Sequence, residues 1–186
     1  MTELSKQTTI SSLRSNVSRQ EAARAFAGSG LDAVYWRARR GQLQRMAVAY
    51  LPFRLYRVQY ELGSARHSRA FALEVVEGTL DLFEFPKVPD GLECIETRNY
   101  VTPQLAEDRA EALLREKVLR IVFQNGFFCV REPRLWIERL PGDFSMPYWL
   151  GFYGSEHRLH CRVMDAVRRR MEGAKATALF ERWLAA

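Results

Sequence analysis

The chain has 186 residues, 47% hydrophobic and 27% charged, with a formal net charge of +6. That length suits one large domain or two small ones, able to bury about two-thirds of the unfolded surface. The longest apolar run, Met46 to Leu51, falls far short of the roughly 20 residues that span a bilayer. The first residues lack the apolar core of a secretory signal. Three cysteines, Cys94, Cys129 and Cys161, are an odd number without CxxC spacing, which fits a reducing compartment. A cytoplasmic protein without membrane contact is the expectation.

Met1 to Val17, rich in Ser, Thr and Gln, reads as a mobile tail. Ser18 followed by Glu21 has capping-box spacing and predicts a helix over Arg19 to Ala27, stopped at Gly28-Ser29-Gly30. Val34 to Arg37 and Leu43 to Ala49 then read as strands flanking the turn Arg39-Arg40-Gly41-Gln42. From Phe53 the period is two, with Tyr56, Val58, Tyr60 and Leu62 on one face and Arg57, Gln59 and Glu61 on the other. Phe71, Leu73 and Val75 are the inward set of the next strand, and Thr79 to Phe85 continues the sheet. Pro86, Pro89 and Asp90-Gly91 break the pattern and mark the internal boundary.

The second half opens on a helix with Thr102 as N-cap and Pro103 at its first position. Its apolar stripe is Ala106, Ala110, Leu113, Leu114, Val118, Ile121 and Val122, and Asn125-Gly126 ends it. Phe127 to Val130, Leu135 to Glu138, Tyr148 to Tyr153 and Leu159 to Val167 follow as strands. A last helix, Ala174 to Leu184, carries Ala176, Leu179, Phe180, Trp183 and Leu184 on one face, so Trp183 is expected to be substantially buried.

Two stretches repeat each other. Tyr-Leu-Pro-Phe-Arg-Leu-Tyr surrounds Pro52 and Ser-Met-Pro-Tyr-Trp-Leu-Gly surrounds Pro147. Each leads through Gly-Ser, at Gly63-Ser64 and Gly154-Ser155, to a second strand with a carboxylate among apolar residues, Glu74 and Asp165. The fold expected is therefore α+β, two related halves of a helix plus an antiparallel meander, with the C-terminal helix packed on the sheet. The boundaries are 1–17 tail, 18–86 first repeat, 87–101 linker and 102–186 second repeat. From Thr102 to Ala174 the helix AEDRAEALLRE, the strands and VMDAVRRRMEGA resemble PepSY-like repeats. In that family an Ala-rich helix precedes a sheet ending in an Asp-Ala-x-Thr-Gly hairpin. Asp165-Ala166 matches the start of that hairpin, Arg168-Arg169 stands where the family has Thr-Gly, and Glu77-Gly78 in the first half keeps only the glycine. The family's usual envelope location does not fit a chain without a signal peptide, so the resemblance bears on fold.

The residues offer several chemistries. His157, His160 and Cys161 crowd together, but His160 and Cys161 point to opposite faces of a strand, so no metal site is expected. Glu74 and Asp165 form a candidate acidic pair, although an acid before a turn more often accepts backbone N–H bonds from it. There is no GxSxG, GxGxxG or Walker pattern, so no cofactor is implied and a non-catalytic role is favoured. Arg37, Arg39 and Arg40 near one turn, and Arg162, Arg168, Arg169 and Arg170 near another, with Trp149 as a stacking face, are candidate binding residues. The basic excess divides as +5 over Met1–Val48, −2 over Ala49–Tyr100 and +3 over Val101–Ala186. A binding or assembly module with a protein partner ranks first. A nucleic-acid-contacting accessory protein comes second, and a small-ligand or enzymatic site between the halves third. Self-association is compatible with any of these.

Overall fold

A computed structural model describes residues 7–28, 34, 38, 41–62, 65–124, 134–155 and 158–186. The elements in chain order are β1 (Thr8–Ser12), α1 (Arg19–Ala27), β2 (Leu43–Leu62), β3 (Ala65–Glu74), β4 (Phe83–Phe85), β5 (Glu93–Thr97), α2 (Glu107–Gln124), β6 (Arg134–Arg139), β7 (Phe144–Ser155), β8 (Arg158–Asp165), β9 (Arg170–Met171) and α3 (Ala174–Ala185). The fold is mixed α+β, and among the described residues no helix is long and apolar enough to cross a membrane.

The chain forms two compact units that do not follow its sequence halves. The first takes Met1–Leu51, Glu93–Val101 and Ser145–Ala186, and the second takes Pro52–Leu92 and Thr102–Phe144. The chain passes from one to the other inside β2, at Leu51–Pro52, where the sequence predicts a break between two strands and the structure has one of 20 residues.

In the first unit β7 pairs antiparallel with β8, from Tyr148↔Asp165 to Ser155↔Arg158, and β8 with β9. β7 also neighbours β2 and, through Ser12↔Ser145, β1, which pairs along its length with β5. Thr8–Ser12, placed by the sequence in a mobile tail, is thus a strand, and β5 lies in the stretch expected as linker. Each gives the other a ladder partner, and Ile10 is buried. The N-terminus of α1 is built as its sequence predicts. Ser18 and Glu21 cap each other's backbone N–H groups, with Ser18 N to Glu21 Oε2 at 2.8 Å and Glu21 N to Ser18 Oγ at 3.3 Å. These bonds hold the Glu21 carboxyl below its ordinary pKa.

Helix α1 lies on one face of the β7–β8 hairpin, with Ala22 and Phe26 packed among Tyr153, Met164 and Ala166. Phe26 sits over Gly151, where an added Cβ would come within 2.9 Å of the ring. The Tyr153 hydroxyl donates to the Phe26 carbonyl at 2.6 Å. Helix α3 packs on the sheet, with Phe180 against Tyr148 at 5.5 Å between ring centroids. Phe180 and Leu179 are buried, and Trp183, expected to be substantially buried, is of intermediate exposure beside Phe180.

In the second unit β2 pairs antiparallel with β3, from Phe53↔Glu74 to Leu62↔Ala65, and on its other side with β6, from Tyr56↔Arg139 to Glu61↔Arg134. Strand β4 closes the outer edge of β3. Helix α2 covers one face, with Ala110, Leu114, Val118 and Val122 against Tyr56, Val58, Tyr60, Phe71 and Leu73. This is the inward set that alternation identifies. The helix begins at Glu107, four residues after the predicted Pro103 start. Gln104 and Leu105 instead donate their N–H groups to the Val75 carbonyl, at 3.0 and 2.9 Å, which holds Thr102–Ala106 off the helix axis.

The two hairpins share local construction. Val75 N donates to the Pro52 carbonyl at 3.1 Å, and Ala166 N donates to the Pro147 carbonyl at 3.1 Å. Each proline contributes the one ladder group it retains. Four residues after each carboxylate stands a residue with positive φ, Gly78 at 68° and Arg169 at 58°. The helix over each hairpin, however, is not the one that precedes it in the sequence: α1 covers β7–β8 and α2 covers β2–β3.

Candidate binding face

The acidic residues singled out in the sequence are occupied by their own turns. Glu74, buried, accepts from the N–H groups of Val76 and Glu77 on one oxygen and of Thr79 on the other. Asp165, fully buried, accepts from Val167 N and Arg168 N, both at 2.8 Å, and from Arg168 Nε at 2.6 Å. Glu74 lies in the second unit and Asp165 in the first. A carboxylate already receiving three donors is a turn clamp, since its lone pairs are committed to backbone that would otherwise be buried unpaired.

The C-terminal arginines are similarly engaged. Burial works against the charged Arg168 guanidinium, yet Asp165 and Glu172 hold its pKa above the ordinary value. Arg170 Nε meets Glu172 at 3.0 Å, and Arg169, exposed, lies 3.9 Å from Glu21. Arg162 is half-buried and interacts with the Tyr153 hydroxyl. Trp149 donates its indole N–H to the Val17 carbonyl at 3.1 Å and packs beside the α1 cluster. Arg37, Arg39, Arg40 and His157 lie outside the described residues. His160 and Cys161 alternate across β8, opposite Tyr153 and Phe152. Burial pushes the Cys161 thiol up to about 12, with Glu181 on α3 adding to the shift.

The face of the second unit opposite α2 is different. Register places three rows across β3, β2 and β6: Ala70–Arg57–Glu138, Ser68–Gln59–Trp136 and Arg66–Glu61–Arg134. At one end Phe53, Phe85 and Phe144 form an aromatic cluster, with centroids of Phe53–Phe144 at 6.2 Å and Phe85–Phe144 at 6.0 Å. Beyond it the face opens. Arg57 donates to Glu138 at 2.8 Å, and Arg66 donates to Glu61 at 3.0 Å while lying over the Trp136 ring at 5.4 Å. Between these pairs is a depression of about 310 Å³ lined by Arg57, Gln59, Arg66, Trp136, Ile137 and Glu138. Trp136 is 43% exposed. Arg66 covers part of its ring, and the rest is open.

Trp136 was visible in the sequence only as part of a strand. The signal is its phase: Leu135 and Ile137 alternate with Trp136 and Glu138, so the indole falls on the polar face. Compared with known proteins, the chain matches no family model, no curated protein and no solved structure.

Proposed function

We infer that this protein is a non-catalytic binding module and that the open β3–β2–β6 face of the second unit is its docking surface for a protein partner. The observation that carries this is Trp136, exposed beside a depression whose rim is two Arg–Glu pairs. Aromatic and arginine side chains are the types enriched at the energetic centres of interfaces. The commitment of Glu74 and Asp165 to backbone N–H groups supports the non-catalytic part. Carboxylate pairing of Arg168 and Arg170 is the reason for ranking nucleic acid second.

The reading is tested by affinity capture from the source cells with the wild-type chain and with Trp136→Ala, beside titration of both with single-stranded oligonucleotides. Specific protein capture lost in Trp136→Ala supports it. Equal capture by both removes this face from the function. Tight, salt-sensitive oligonucleotide binding by the wild type replaces the protein partner with nucleic acid.

The same reading includes an internal duplication, in which helix, strand and hairpin of 18–86 correspond to those of 102–186 and each half's helix lies on the other half's hairpin. Its support is the pair of proline carbonyl bonds, the two carboxylate clamps and the matched positive-φ positions. The resemblance to PepSY-like repeats belongs to this proposal. Arg169 occupies, with positive φ, the place where that pattern has glycine.

A further inference from the structure

Counting from Pro52 and Pro147, Phe53, Leu55 and Arg57 correspond to Tyr148, Leu150 and Phe152, and register assigns each trio to the hairpin face away from α2 or α1. In the first unit that face is covered: Phe180 of α3 packs on Tyr148, and Leu150, Phe152, Cys161 and Val163 are buried. In the second unit the matching face carries no helix among the described residues, and it is the face that bears Trp136 and the depression. The substitutions are directed. Where Phe152 and Cys161 meet the α3 side, the second unit has Arg57 and Ala70, a charged rim and a small residue that leaves room.

We propose that the open face of the second unit is the seat of an amphipathic helix supplied by a partner protein, held as α3 is held in the first unit. The proposal rests on the binding-module reading and names its occupant. The occupant's charge follows from the face, where Arg57, Arg66 and Arg134 outnumber Glu61 and Glu138. A helix with an apolar stripe over Trp136 and acidic flanks complements it. The polar rim makes this a reversible seat, in contrast to the apolar seat of α3.

The test uses the full chain with a photo-crosslinking residue at Gln59 or Ser68 in cells, and at Glu111 on the exposed side of α2 as the control. Crosslinked partner residues are mapped by mass spectrometry. The expected result is one partner segment, net acidic, hit at positions three, four and seven apart. Its crosslink yield from Gln59 falls at least tenfold in Arg66→Gln, an exposed change that removes the charge without setting a second carboxylate opposite Glu61. Hits two apart mark an extended strand and overturn the helix while leaving a protein-binding face. A basic segment overturns the charge argument and with it the proposal. Crosslinks to a second copy of this chain replace the partner by self-association. Crosslinks to nucleic acid, or none above the Glu111 control, overturn both the helix and the binding-module reading.

Discussion

The β7–β8 hairpin of the first unit and the β2–β3 hairpin of the second begin with the same proline bond and end on the same kind of carboxylate clamp, yet they meet solvent differently. The first is sandwiched, with α1 on one side and α3 on the other, and its central residues Tyr148, Leu150 and Val163 are buried. The second is covered by α2 alone, and from Arg57 outward its other face is polar with one exposed tryptophan. One hairpin architecture therefore accommodates a face sealed by a helix and a face left open. Side chains decide which: Phe152 and Cys161 need cover, while Arg57 and Gln59 tolerate water.

If the α3 seat is structural, removing its central ring should produce a loss among the largest in the molecule. Phe180 is fully buried against Tyr148, so Phe180→Ala is expected to cost about 3–5 kcal/mol in urea unfolding. A loss below about 1 kcal/mol would show that α3 is peripheral and would dissolve the contrast with the open face. Trp183→Ala, at a half-buried position beside Phe180, is expected to lose clearly less.

The two clamps sharpen the comparison next. Asp165→Ala strips two backbone N–H groups and removes the nearer carboxylate from the half-buried Arg168 guanidinium, a loss of about 3–5 kcal/mol as for a broken buried ion pair. Glu74→Ala orphans three neutral N–H groups that a loosened turn can turn toward water, so about 2–3 kcal/mol is expected. Equal costs, measured by denaturant unfolding of both variants, would mean that Arg168 adds nothing to the Asp165 turn.

These differences explain what was legible beforehand. Alternation found the α2-facing set Tyr56, Val58 and Tyr60, because period two with one buried face leaves a clear trace. The capping box of α1 was equally plain, since Ser18 and Glu21 satisfy each other locally. Strand pairing between distant segments was not: nothing local in Thr8–Ser12 states that Glu93–Thr97 will supply its ladder. The crossed assignment of helices to hairpins is hidden for the same reason, because an amphipathic stripe specifies an apolar partner without naming which one. The open face is less conspicuous in the sequence than the charge clusters. Arg168 and Arg170 are conspicuous in the chain but spent on Asp165 and Glu172, whereas Trp136 is informative only through its phase in β6.

The positive-φ pair offers a reciprocal test of the hairpin equivalence, with smaller effects of opposite sign. Gly78 has φ 68°, and a Cβ there would lie 2.7 Å from Leu113 Cδ1, so Gly78→Ala should destabilise by about 1–3 kcal/mol. Arg169 carries a side chain in the same left-handed region and forms only an exposed pair with Glu21 at 3.9 Å. Arg169→Gly should therefore gain up to about 1 kcal/mol, because glycine removes the left-handed penalty and the exposed pair contributes little. If both changes destabilise, the two turns are not equivalent in their backbone demands.

The smallest expected effect belongs to the open face. Trp136 is nearly half exposed, and the described cation over its ring is the exposed Arg66, a contact worth about 0.5–1 kcal/mol at an exposed site. Trp136→Ala should shift unfolding free energy by less than about 1 kcal/mol and leave the denaturant slope unchanged, in contrast to Phe180→Ala. The two aromatic truncations thus measure the two seats on one scale. A Trp136→Ala loss approaching that of Phe180→Ala would show that the indole supports the fold of the second unit. Its exposure would then no longer distinguish a docking surface from an ordinary sheet face, and the assignment of function to this face would fall with it.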